Sequence, residues 1–212
     1  VNIVMHCVYF PPEVGGLESH IRYLCRSLVE RGHQVNVVTS LSQPDLPQHE
    51  MIDGISVWRT WIPGRNTLGW ATYAISSTPK LVSLARNADV LHAQDIASVL
   101  PCIIANLRRK IPIVTTYHTS HFLRRAESRF WRRIFRTFLR KADHNLAAST
   151  EIASVGKNIA PQVDVEPLTN GVDTSIFQKT DPVLPHLEEG QYRLIIPRRL
   201  FSKNGVEYFV RA

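Results

Sequence analysis

The stretch Asn2-Ile3-Val4-Met5-His6-Cys7-Val8, then Pro11-Pro12-Glu13-Val14-Gly15-Gly16, an amphipathic run to Arg31, and Gly32-His33-Gln34-Val35-Asn36-Val37-Val38-Thr39 decides the fold. Ile3-Val4-Met5 and Val35-Asn36-Val37-Val38 are nearly continuous apolar runs, as expected of parallel strands covered on both faces. Between them Leu17, Ile21, Leu24, Leu28 and Val29 recur at helical spacing, with Glu18 and Arg22 four apart on the polar side. Gly32 suits the left-handed cap that ends such a helix. The segment is therefore one strand-turn-helix-strand unit.

Working outward, further strands are expected at Ile55–Arg59, Asp89–His92, Ile113–Tyr117, His144–Ala148 and Val163–Leu168. Helical spacing covers Trp70–Arg86, Ile96–Arg109, His121–Lys141 and Thr150–Asn158. Strand-helix alternation with short connections predicts an α/β domain built on a Rossmann-like, doubly wound parallel sheet. Past Leu168 the composition changes. We expect a first domain over residues 1–178, a Pro-, Gly- and acid-rich linker over 179–190, and over 191–212 a new strand at Tyr192–Pro197, a loop and a helix start. That last stretch is too short for a core of its own and reads as a second Rossmann-like unit cut off early.

Composition narrows the class. Apolar residues make up 44% and charged residues 20% of 212, enough for a sizeable core. No apolar run reaches the roughly 18–20 residues of a membrane-spanning helix. The start reads as a strand, not a signal peptide, and lacks an initiator Met, which suggests that a few leading residues have been removed. Cys7, Cys25 and Cys102 have neither zinc-site nor disulfide spacing and read as buried, reduced thiols of a cytosolic protein. The net charge of +7 is local: His121–Lys141 holds seven arginines and one lysine against Glu127.

Three loops carry candidate chemistry. Pro11–Gly16 enters a helix whose first N–H groups and dipole suit a phosphate, although a tight turn alone would read the same way. His118 follows the strand Ile113–Tyr117, at the edge where open α/β sheets bind ligands, yet a structural histidine fits there equally. Arg198–Gly205 places Arg198, Arg199 and Lys203 in a loop before a helix, suited to a diphosphate or simply to solvent. His6, His20 and His92 raise the question of a metal, but their scatter lacks a compact ligand motif.

Six features stand in order. They are Pro11-Pro12-x-x-Gly15-Gly16, Arg31-Gly32-His33-x-Val35, Asp89-Val90-Leu91-His92, His118 after its strand, Asn170-Gly171-Val172-Asp173 with Phe177, and Arg199-Leu200-x-x-Lys203-Asn204-Gly205. Together they resemble family 4 of the retaining GT-B glycosyltransferases, and the chain is similar to the N-terminal domain plus a stub of the second. The resemblance implies a nucleotide-sugar donor, a carbohydrate or lipid-linked acceptor, and transfer with retention. It implies that Gly15 and Gly16 approach the donor diphosphate or acceptor, that His118 contacts the donor sugar at the transfer site, and that Arg199 and Lys203 neutralise the leaving nucleoside diphosphate. No cofactor and no divalent metal are implied. The second domain supplies most of the nucleotide pocket in such enzymes, so these residues alone are expected to be inactive. A related nucleotide-sugar epimerase is an alternative; it would want carboxylates at the strand ends, where Asp95 is the one candidate.

On a wheel of about 100° per residue, the arginines of 121–141 gather on one half. Leu123, Phe130, Trp131, Ile134 and Phe138 gather on the other, with Phe135 and Leu139 at a boundary and Phe122 among the arginines. The apolar side must pack on the sheet. Arg124, Arg125, Arg129, Arg132, Arg133 and Arg136 then either face solvent or dock on an acceptor or an anionic membrane surface, placing the protein at the inner face of the cell membrane. A non-catalytic module using this helix alone is a further alternative. No nucleic-acid motif accompanies the patch, so no nucleic-acid partner is expected.

Overall fold

A computed structural model describes residues 1–118, 120–180, 190–197, 200 and 204–211, with backbone alone at Ser120. It divides into Val1–Asp173 and Thr174–Ala212.

The first unit is an open sheet of eight strands in the order β3-β4-β2-β1-β5-β6-β7-β8. The strands are β1 Asn2–His6, β2 Gln34–Leu41, β3 His49–Ile52, β4 Ile55–Trp61, β5 Val90–Gln94, β6 Ile113–Tyr117, β7 His144–Ala147 and β8 Glu166–Pro167. All neighbours run parallel except the β3–β4 pair. The helices are α1 Gly16–Glu30, α2 Thr67–Leu84, α3 Ile96–Asn106, α4 Ser120–Ala126, α5 Arg129–Lys141 and α6 Thr150–Ile159.

Alternation along β1 builds two cores. Met5 and Cys7 join Ile21 and Cys25 of α1, with Val35, Val37, Ile55 and Val57, on one face. Val4 joins Leu81, Leu91, Val99, Phe135, Leu139 and Ile152 on the other. Because parallel crossovers are right-handed, β1-α1-β2 steps one way along the sheet and the later units step the other. Helices therefore cover both faces, as a doubly wound sheet requires. Tyr73 ties α2 to the strands by donating to the Cys7 carbonyl at 2.7 Å.

Helix α1 ends as its sequence implies. Gly32 adopts φ +83°, its N–H reaches the Val29 carbonyl at 2.8 Å, and His33 N–H reaches Leu28 at 3.1 Å, the paired closure of a Schellman cap. Its polar face differs from expectation: Arg22 pairs with Asp53 at 2.8 Å instead of Glu18, because the β3–β4 turn brings that carboxylate within reach.

Three expectations are corrected. Strand β3 was not foreseen; it folds back from β4 through Asp53 (φ 50°) and Gly54 (φ 78°), the left-handed pair of a tight hairpin. The helix expected over 121–141 is two helices, α4 and α5, broken at Glu127-Ser128, where Ser128 turns extended (φ −82°, ψ 132°). The break rephases the wheel: Phe122, Phe135 and Leu139 become the fully buried side chains while Phe130 is 66% exposed. In the second unit, residues 191–197 form no strand. A strand forms only beside another strand, and among the described residues of this unit no second stretch is extended as one. Helix α7 does form at Val206–Arg211, after Gly205 at φ +68°.

Candidate active site

The site gathers where β1, β5 and β6 end. Gln94 is the last residue of β5, His118 follows β6, and α1 begins at Gly16. His118 reaches the α1 face: its ring lies 4.9 Å from that of His20, one helical turn past Gly16. The helix that begins at Gly16 thus meets the histidine at 118, one turn on, at His20. Gly15 precedes α1 in extended conformation (φ −172°, ψ 168°), and a Cβ there would strike the Glu18 carboxylate. At Gly16 a Cβ would meet nothing within 4 Å, so the helix entrance is open.

The turn ahead of it is braced by residues that sequence reasoning missed. Arg59 is buried in β4, pairs with Glu50, and donates to the Pro11 carbonyl at 2.9 Å and the Pro47 carbonyl at 3.3 Å. Arg65 pairs with Glu13 and stands 5.0 Å over the Tyr9 ring. The Tyr9 hydroxyl accepts from Trp70 Nε1 at 3.1 Å, and Trp70 abuts His121 at 5.5 Å. Of the three tryptophans around Pro63-Gly64, Trp70 therefore borders the strand tops. Trp58 stacks on His49 at 3.8 Å, away from them, and Trp61 is 58% exposed.

Buried polar groups form a chain under His118. Thr116 Oγ1 lies 2.8 Å from His92 Nε2, which lies 3.3 Å from Gln94 Nε2; Gln94 Oε1 lies 2.8 Å from His118 Nε2. Burial drives His118 down to about 3, with His20 and His92 adding to the effect, so its imidazole is neutral at physiological pH. His92 falls to about 4, again through burial first and His20 second. Burial likewise lowers His20. Held neutral, the His118 imidazole can accept or donate hydrogen bonds.

Asp95, just beyond Gln94, holds φ +66° and caps α3 by accepting from the Ile96 N–H at 2.9 Å. That structural duty weakens its candidacy as the carboxylate of an epimerase. Among the described residues no group of three or more His, Cys, Asp or Glu stands where it could hold a metal ion.

The basic segment splits by role. Arg136 Nε donates to the Ile159 carbonyl at 2.9 Å and Arg132 to Asn158 at 3.3 Å, closing the C-terminal end of α6. Arg125 stacks over Trp131 at 4.9 Å. Arg124, Arg129 and Arg133 are exposed. Arg199 and Lys203 lie outside the described residues.

An open, mostly parallel sheet with helices on both faces has the Rossmann-like architecture of the N-terminal half of a GT-B protein. The profile of Glycosyltransferase Family 4 matches residues 14–176, most of the chain, and the chain belongs to that family. It is 32% identical over 126 residues to an uncharacterized glycosyltransferase of Methanocaldococcus jannaschii, covering 57% of this chain and 31% of the relative. It is 26% identical over 215 residues to the phosphatidyl-myo-inositol mannosyltransferase of Mycolicibacterium smegmatis, covering 100% and 54%. Among solved structures, sucrose-phosphate synthase from Thermosynechococcus elongatus superposes with a TM-score of 0.68 at 14% identity, covering 84% of this chain and 50% of that one. Anabaena HepE in complex with UDP-glucose gives 0.59 at 15%, covering 85% and 46%. The chain thus spans between about a third and about half of the curated relatives' lengths.

Proposed function

We propose that this chain is the acceptor-side half of a glycosyltransferase that takes its sugar from a nucleoside-diphosphate donor and transfers it with retention. The observation that carries the reading is the meeting of His118 with α1 one turn past the open Gly16 entrance. A neutral histidine and the first amides of a 15-residue helix form a pre-oriented polar wall. Such groups stabilise charge that develops as the anomeric bond breaks without reorganising. In this reading Gly15 and Gly16 let the donor diphosphate or acceptor approach the backbone, and His118 contacts the sugar. Neutralising the leaving diphosphate falls to Arg199 and Lys203, as the family resemblance implies. The solved structure of HepE with UDP-glucose supports the donor class.

The test uses the native polypeptide that contains these residues. Transfer from UDP- and GDP-sugars to phosphatidylinositol vesicles is expected, with the product anomer matching the donor. His118→Ala should lower turnover at least about 100-fold with unchanged circular dichroism, and residues 1–212 alone should show none. Turnover indifferent to His118→Ala would refute the assignment.

The acceptor we infer is lipid-linked, reached by peripheral contact with an anionic membrane. The phosphatidylinositol-directed names of two relatives support this. So does the surface: Arg124, Arg129 and Arg133 are exposed beside Phe130 on α4 and α5. Helices α2 and α3 contain no acidic residue and expose Leu68, Ile75, Ile104 and other aliphatics. Between the ends of those two helices Arg86, Arg108 and Arg109 rim a hollow of about 510 Å³. Among the described residues no helix is long and apolar enough to cross a membrane. Co-sedimentation with phosphatidylserine vesicles but not with phosphatidylcholine vesicles is expected; equal binding to both removes the inference.

A further inference from the structure

The amide of Gln94 is buried, so its two ends must be satisfied by protein. One end faces His118 Nε2 at 2.8 Å. The other faces His92 Nε2 at 3.3 Å and the Met5 sulfur at 3.5 Å. The sulfur decides which end is which. A thioether accepts hydrogen bonds and donates none, so an NH₂ group beside it is attractive, whereas a carbonyl oxygen would oppose lone pair to lone pair. The oxygen therefore faces His118, and an oxygen there requires an N–H on the imidazole.

The other end of the chain follows from this orientation. With the Gln94 NH₂ group facing it at 3.3 Å, His92 Nε2 is the acceptor of its ring, and the Thr116 hydroxyl at 2.8 Å then donates to it as well. Every group from Thr116 to His118 then donates or accepts consistently. The one atom of His118 left over is Nδ1, which is buried and has no partner among the described residues.

We propose that Gln94 is a positioning residue that holds His118 in its Nε2–H tautomer, so that Nδ1 presents a lone pair to a hydroxyl of the bound sugar. The tautomer follows from the protein alone. Only the identity of the hydroxyl rests on the sugar-site reading given above, and the two parts fail separately. A buried acceptor without a donor is costly, so a ligand that supplies an O–H at Nδ1 gains more than one that cannot. Gln94 would thus set which face of His118 reads the substrate without itself touching it.

The test begins on residues 1–212 labelled with ¹⁵N-histidine. Long-range ¹H–¹⁵N correlations at pH 7.5 should show His118 protonated at Nε2 and bare at Nδ1. Gln94→Met keeps the volume but removes the acceptor, and should shift His118 to a tautomer mixture. Gln94→Glu retains an oxygen and should keep Nε2 protonated. A wild-type His118 protonated at Nδ1 overturns the proposal, and so does a tautomer ratio unmoved by Gln94→Met. In the native polypeptide, Gln94→Met should lower kcat/KM about 10- to 100-fold, with Gln94→Glu recovering part of it. A wild-type tautomer as stated, joined to unchanged kcat/KM in Gln94→Met, would sink the hydroxyl contact alone.

Discussion

Acidification should destabilise this domain through two buried histidines, His6 and His92. His6 is buried in β1, stacked on Tyr73 at 5.1 Å with its Nε2 2.9 Å from Ser77 Oγ. Burial lowers it to about 3, and His92 to about 4. In the unfolded chain each takes up a proton near 6.5. Between pH 6.5 and pH 4 the unfolded state therefore binds more protons than the folded state, and stability rises with pH across that window. The contribution is complete above 6.5 and is lost as pH falls. At pH 5 protonation of an unfolded histidine is worth about 2 kcal/mol, while the folded ring gains almost nothing, so the pair removes about 4 kcal/mol. The lowered His20 and His118 act in the same direction. Against a total of about 5–15 kcal/mol for a domain, that loss is large.

Urea unfolding followed by circular dichroism at pH 7.5, 6.5, 5.5 and 5 measures it. We expect the midpoint to drop steadily below pH 6.5, and His6→Gln to shrink the difference between pH 7.5 and pH 5 by about 2 kcal/mol, whatever its effect at pH 7.5. Equal stability at pH 5 and pH 7.5 in the wild type would show that both rings protonate in the folded state, and the argument from burial would fail.

Three further outcomes are expected. Arg59→Met should cost about 2–3 kcal/mol in urea unfolding, because Glu50 and the Pro11 and Pro47 carbonyls lose their donor; the partial exposure of Glu50 keeps the figure below that of a fully buried pair. Gly54→Ala should cost about 1–2 kcal/mol, since φ is +78° and a Cβ would lie 2.8 Å from Val29 Cγ1; thermal unfolding checks it. Arg136→Ala should cost about 1 kcal/mol through the lost Ile159 carbonyl bond, whereas Arg133→Ala should leave stability within about 0.5 kcal/mol. Arg133→Ala should instead weaken anionic-vesicle binding. The reverse pattern would reassign the two side chains.

How legible the domain was depended on how local each signal is. Strand runs such as Val35–Val38 and the cap at Gly32 are fixed by their own neighbours, and both formed as expected. The β3 strand carried a signal too, in Asp53-Gly54 before Ile55, but His49–Ile52 lacks the apolar alternation that periodicity detects. The break at Glu127-Ser128 escaped because a wheel assumes one unbroken axis, and Phe122 among the arginines was the clue that the axis changes. At the site, His118 was legible from its place after a strand. Gln94 was not, because the strand had been ended at His92 and the residue two positions on fell into an assumed loop. Arg59 enters the sequence reading only as the last residue of an expected strand, and the return of β3 and the loop near Pro11 give it its partners.

Charge sorts the parts of this half-site by task. His6, His92 and His118 are held neutral, and three cations around Pro11, Tyr9 and Trp70 already have partners, Arg59 in Glu50, Arg65 in Glu13 and Arg125 in the Trp131 ring. A wall of neutral acceptors and donors discriminates hydroxyl positions well, because each misplaced hydroxyl strands a buried partner. It stabilises a diphosphate poorly, because the diphosphate needs cations free to face it. If the proposed function holds, residues 1–173 are the part suited to reading a sugar or acceptor. Under the proposed function, the chemistry of the leaving group is left to the cations that the family resemblance implies, Arg199 and Lys203.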